Sequence, residues 1–158
     1  MTNNRQQLHI NHSLLQRLTN HAKNAISRSA SIAQDLRSAE TEVPHLLYAI
    51  FLTKGSVGSN ILADIGIHKE DFDKFFRETD PSKEADPTSI KSSGSDGKIS
   101  EIFILAYKAA KKFNYSYVGT EHLVYAIVNQ ADRDIAKILS SAKISDISRS
   151  IKALFDPS

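Results

Sequence analysis

The hexapeptide His45-Leu46-Leu47-Tyr48-Ala49-Ile50 returns 77 residues later as His122-Leu123-Val124-Tyr125-Ala126-Ile127. The same offset pairs Ala33 with Ala110, Leu36 with Phe113, Ile61-Leu62 with Ile138-Leu139, and Ile67 with Ile144, with no gap between them. A register kept over so many positions means an internal duplication, so the chain should fold as two similar halves.

Each copy reads as helices. In the first, Ala22, Ala25, Ile26, Ser29, Ala33 and Leu36 follow the spacing of one helical stripe; in the second, Ile99, Ile102, Phe103, Ala106, Ala110 and Phe113 repeat it. Thr19 and its partner Asp96 stand where N-caps belong. The shared hexapeptide opens a second helix. Val43-Pro44 puts proline in its first turn, and Gly119-Thr120 offers a threonine cap ahead of Glu121. Third helices carry Val57, Ile61, Leu62 and Ile65, then Ile135, Ile138, Leu139 and Ala142. Fourth helices carry Phe72, Phe75 and Phe76, then Ile147, Ile151, Leu154 and Phe155. Gly66 suits a left-handed stop after the third helix, whereas its counterpart Lys143 does not, so that corner should differ between the copies.

From Thr79 to Gly97 the chain holds two prolines, five serines and two glycines with almost nothing apolar, the composition of a linker. The expected organisation is a 1–18 extension, a first repeat over 19–78, a flexible linker over 79–97 and a second repeat over 98–155. Residues 19–155 together should make one domain. Eight short amphipathic helices each need an apolar partner, which two small bundles about a pseudo-twofold axis provide. The fold class is all-α.

Composition narrows the function. The net charge of +2 comes from interspersed charges rather than blocks, which gives nucleic-acid binding little support. The absence of cysteine rules out disulfides and thiolate chemistry, and the cytoplasm is the expected compartment. No apolar run approaches the roughly 20 residues of a membrane span. The serines show no nucleophile elbow, and His9 with His12 lacks a third ligand, so neither a hydrolase nor a zinc site is expected, and no cofactor. Gly97-Lys98 has Ser92 where a phosphate-binding loop needs glycine and Ile99 where it needs Ser or Thr. Lys108, Lys111 and Lys112 read as a solvated face, Tyr48 and Tyr125 as core plugs with hydroxyls outward.

Tyr117-Val118-Gly119-Thr120-Glu121-His122-Leu123, following the Ala/Lys-rich stretch Ile99 to Phe113, closely resembles the repeat signature of Clp N-terminal domains. Leu18-Thr19-Asn20-His21-Ala22 and His45-Leu46-Leu47-Tyr48 resemble the first copy of the same signature, so the likeness covers about residues 14 to 155. Its double repeat is similar to that of the ClpC-like branch. The resemblance implies a non-catalytic module that receives protein substrates and adaptor proteins for an ATPase ring, carried in the same longer chain or acting in trans. The chain's ending just past the last helix is expected of a domain cut. The alternative is a free-standing helical adaptor or scaffold.

The resemblance further implies a site for phosphorylated arginine at the helix start that carries the signature. Backbone N–H groups there can receive phosphate while a glutamate pairs with the guanidinium. Thr120 and Glu121 match these positions; in the first copy they are Val43 and Pro44, with Glu42 out of register, so one usable pocket is expected at most. The plainer reading has Thr120 capping its helix and Glu121 complementing the dipole, worth about 1 kcal/mol. Spacing leaves both open. For His45 and His122 the structural reading is a hydrogen bond to a neighbouring turn rather than metal ligation.

Overall fold

The computed structural model describes residues 12–79, 95–142 and 144–155. The described residues form nine α-helices: α1 His12–Arg17, α2 Asn20–Asp35, α3 Val43–Leu52, α4 Val57–Asp64, α5 Lys69–Glu78, α6 Ser95–Lys112, α7 Thr120–Asn129, α8 Arg133–Ile138 and α9 Ile144–Phe155. The order α2 to α5 is repeated by α6 to α9. Helices α3 and α7 begin and end at positions 77 residues apart. Helix α1 lies within the expected extension and adds a ninth helix to the eight read from the repeat. The expected linker falls mostly on 80–94, outside the described residues. Its last residues, Ser95 to Gly97, belong to α6, so Asp96 falls inside that helix rather than capping it from outside.

Packing follows the duplication. Helices α3 and α7 are buried at the same set of repeat positions, from Val43 to Phe51 and from Thr120 to Val128, interrupted only at Tyr48 and Tyr125. A short helix that is apolar all round belongs at the centre. Around that pair the contacts are reciprocal: α2 packs on α3 and α6 on α7, while α4 approaches α7 and α8 approaches α3 across the halves. Reciprocity of this kind is what a pseudo-twofold axis between the repeats requires. Their shared core includes Leu46, Leu47, Ile50, Leu62 and Phe72 from one half and Ile99, Leu123, Ile127, Ile135 and Leu139 from the other.

Helix ends show how the sequence sets the boundaries. Thr19 caps α2, its hydroxyl accepting from the Ala22 N–H at 3.1 Å. Ser56 does the same for Ser59 on α4, and Asp132 for Ile135 on α8. Gly66 takes φ +92°, letting Ile67 N–H reach back to Leu62 O and Gly66 N–H to Ala63 O. The same stop closes α2 and α6 without glycine: Arg37 and Asn114, one repeat apart, both enter the left-handed region, at φ 59° and 64°. Ser38 N–H and Tyr115 N–H then close equivalent turns on Ala33 O and Ala110 O. The corner after the third helix does differ between copies, since α8 runs into a 3-10 turn at Leu139–Ser141; Lys143 itself is outside the described residues.

Some stripe positions lie at the rim rather than in the core. Leu36, Val57 and Leu154 are exposed, and each sits at or near a helix end. Conversely, Phe72, Phe75 and Phe76 close the first half, Phe72 and Phe76 packing on Tyr48 and Phe76 stacking on His45.

Thr41 is buried and its hydroxyl finds no hydrogen-bond partner among the described residues, and the repeat equivalent of Thr41 is Val118. Thr41→Val therefore should stabilise the domain by about 1 kcal/mol, since it removes an unsatisfied polar group at nearly constant volume. A urea midpoint that falls instead would show that the hydroxyl is satisfied.

Candidate functional site

The start of α7 is built from three consecutive residues with separate tasks. Gly119 is the N-cap, in extended backbone, and Thr120 is the first helical residue. The expected threonine cap is thus displaced by one position. Thr120 is buried, and its hydroxyl accepts from the Gly58 N–H at 2.8 Å, a contact reaching from the first turn of α4 in the other half. A Cβ at Gly58 would meet Thr120 Cβ and Ile50 Cγ2, each at 2.8 Å. The equivalent positions, Val43 and Ile135, are both apolar and buried, so the contact is polar and tight on one side of the axis only.

His122 secures the turn. Its Nδ1 accepts from the Gly119 N–H at 2.9 Å, as His45 Nδ1 does from the Glu42 N–H at 2.8 Å. Both histidines therefore serve the helix start three residues upstream, as the structural reading expected. An imidazole accepting at Nδ1 carries its proton on Nε2. Each ring is also covered by an aromatic from the last helix of its half, His45 by Phe76 and His122 by Phe155, stacked at 5.5 and 4.9 Å. These two phenylalanines are not repeat equivalents: Phe76 corresponds to Ala153, and Phe155 to Glu78. Burial of His122 pulls its pKa down to about 4, leaving the ring neutral.

Glu121 is the anomaly. It is 8% exposed, at a position that is equally buried in the first half but occupied there by Pro44. Its carboxylate folds back over Gly119, where a side chain of any kind would collide with Glu121 Oε1. Burial raises the pKa of this carboxyl; its own backbone N–H and the nearby His21 imidazole act the other way. The carboxyl is thus held in the interior with its burial only partly compensated.

His21 is close because α2 is stitched to the front of α7. Leu18 and Val118 form an isolated parallel bridge, with Val118 N–H donating to Arg17 O at 2.8 Å and Thr19 N–H donating to Val118 O at 3.0 Å. The exposed His21 in the first turn of α2 is thereby set within electrostatic reach of Glu121. His21 is not legible as a neighbour of Glu121 from the signature alone. The bridge that brings it there spans about a hundred positions of sequence. In the first half the positions matching Thr120 and Glu121 are the apolar Val43 and Pro44, behind a Glu42 N-cap, and proline removes one N–H. His9 and the side chain of His12 are outside the described residues. Among the described residues no group of three metal-ligating side chains converges, and no single helix is long and apolar enough to cross a membrane.

Comparison with known proteins gives this arrangement its relatives. A probable ATP-dependent Clp protease ATP-binding subunit from Chlamydia pneumoniae is 28% identical over 134 residues, which is 83% of this chain and 15% of that protein. The chaperone protein ClpB of Clostridium tetani is 28% identical over 133 residues, 82% of this chain and 15% of its own length. The chain thus spans a small part of these relatives. The crystal structure of the N-terminal domain of the chaperone ClpD from Arabidopsis thaliana superimposes with a TM-score of 0.70 at 14% identity, covering 92% of this chain and 98% of that one, a likeness of fold. The profile of the Clp repeat (R) N-terminal domain matches residues 17–142, and the chain belongs to that family.

Proposed function

We propose that this domain recognises protein substrates and adaptors for a Clp-type ATPase ring, present in the same longer chain or acting in trans, and that it does so in the cytoplasm. Its ligand group is phosphoarginine, bound in the second repeat. The single observation that carries this reading is Glu121, a buried carboxylate at a core position whose twin is proline. A guanidinium approaching it meets a partly desolvated opposite charge, where a charge-assisted pair is stronger than in water. The phosphoryl end of the same ligand would meet the positive end of the α7 dipole and the His21 imidazole across the α2–α7 junction. Thr120 contributes by fixing α7 against α4 rather than by touching the ligand.

Titrating free phosphoarginine into wild-type protein and Glu121→Gln tests the reading. Glutamine keeps the shape and removes a charge that burial disfavours, so the variant should be as stable as wild type or more so. Its affinity should fall at least tenfold, the size of one charge-assisted hydrogen bond. Wild-type affinity should also fall on mild acidification, because a raised pKa protonates Glu121 at higher pH than an ordinary carboxyl. Equal binding by both proteins would discard the site.

A further inference from the structure

We infer that Tyr117 is the specificity wall of this site, its ring face selecting a planar guanidinium beside Glu121 over an ammonium group or a phosphate borne on a hydroxyl. The inference rests on the reading of Glu121 given above and adds the residue that would discriminate among ligands.

Tyr117 stands two residues ahead of Gly119, just before the bridge residue Val118. Its ring packs near-perpendicular to Tyr115 at 5.4 Å and to His122 at 5.9 Å. It remains 40% exposed, and among the described exposed large apolar side chains it is the aromatic one. A ring gripped by a rigid aromatic cluster and still open to solvent has little conformational freedom left to lose on binding. Its phenol lies within electrostatic reach of Glu121: burial first, then that carboxylate, raise the hydroxyl's pKa and keep it neutral.

An aromatic face and a carboxylate side by side suit arginine chemistry in particular. Guanidinium is flat and weakly hydrated, so it can stack on a ring while its edge donates to a carboxylate; ammonium is compact and strongly hydrated. The two groups are also absent together. At the repeat equivalents of Tyr117 and Glu121 the first half carries Glu40 and Pro44, so neither the ring nor the Glu121 carboxylate is repeated in register there. Bulk packing alone gives no reason for such a pairing, because Tyr117 contributes an exposed surface rather than core volume.

The test uses calorimetric titration of the protein with phosphoarginine, arginine and phosphoserine, comparing wild type with Tyr117→Leu, Tyr117→Phe and Tyr117→Trp. Tyr117→Leu should weaken phosphoarginine binding about tenfold, while Tyr117→Phe stays within about twofold of wild type because the ring face is retained. Phosphoserine should bind weakly to all four proteins. In a chain without other tryptophan, Tyr117→Trp should bind at least as well as wild type and report binding by a change in indole emission. Wild-type affinity in Tyr117→Leu, or a loss in Tyr117→Phe equal to that in Tyr117→Leu, would overturn the inference while leaving Glu121 in place. Failure of wild-type protein to bind phosphoarginine would overturn both.

Discussion

Acidification from pH 7 to pH 4 should remove about 3 kcal/mol of folding stability through one side chain, His122. In the folded protein this imidazole stays neutral down to about pH 4, whereas in the unfolded chain it takes up a proton near its ordinary value of 6.5. Between those values the unfolded state binds more protons, so stability falls as pH falls, by about 1.4 kcal/mol per unit of difference. The cause is visible in the contacts: the ring is fully buried under Phe155 and Tyr115, and its Nδ1 is committed to the Gly119 N–H. Protonation would put a charge into that stack and turn the acceptor into a donor facing another donor. Urea denaturation at pH 7 and pH 4.5 should show the loss in wild type and a smaller one in His122→Gln, which cannot titrate. Glu121 pulls in the opposite sense, since its raised pKa means that neutralising it on acidification favours the folded state. Comparison with Glu121→Gln separates the two. Identical pH profiles for wild type and His122→Gln would show that the ring is not sequestered.

Gly58→Ala should cost about 2 kcal/mol, a loss large for a single methyl group. The added Cβ would fall within 3 Å of Ile50 Cγ2, Thr120 Cβ and Thr120 Oγ1, and none of these can swing away. Both neighbours sit on buried central helices, one from each half. The same substitution would strain the Gly58 N–H to Thr120 hydroxyl bond, so its effect should be strongly non-additive with Thr120→Ala. A change in the urea midpoint equivalent to less than about 0.5 kcal/mol would mean that the halves do not approach so closely.

The duplication made most of the architecture legible before any coordinates, because a stripe that recurs in register specifies both helix identity and helix partner. Ala22, Ala25 and Ala33, with Ile102, Phe103 and Ala110, lie in the core where the periodicity put them. Periodicity is silent on where a neighbouring element stops, and so Leu36, Val57 and Leu154 were assigned to a core whose edge they only touch. The site was half legible. Glu121 stood out by its motif, but local capping preferences made Thr120 an N-cap because they treat a helix start as if it were alone. In the protein the hydroxyl is claimed by an N–H 62 residues away, and the glycine at the cap leaves space for the Glu121 carboxylate where it lies. One local signal was available: a histidine three residues after each cap, His45 after Glu42 and His122 after Gly119, marks the same backbone position in both copies. The left-handed turns at Arg37 and Asn114 carried no glycine and left no comparable mark.

The parallel bridge between Leu18 and Val118 gives the domain a mechanical polarity. A pull on the amino end meets the half that follows it in sequence at the Thr19 cap of α2. It is also passed through Arg17 and Thr19 to the backbone just ahead of α7, at the heart of the other half. Tension at that end is therefore shared by both copies from the outset, and whatever tugs there also tugs on the strand of chain that holds Tyr117 and Glu121.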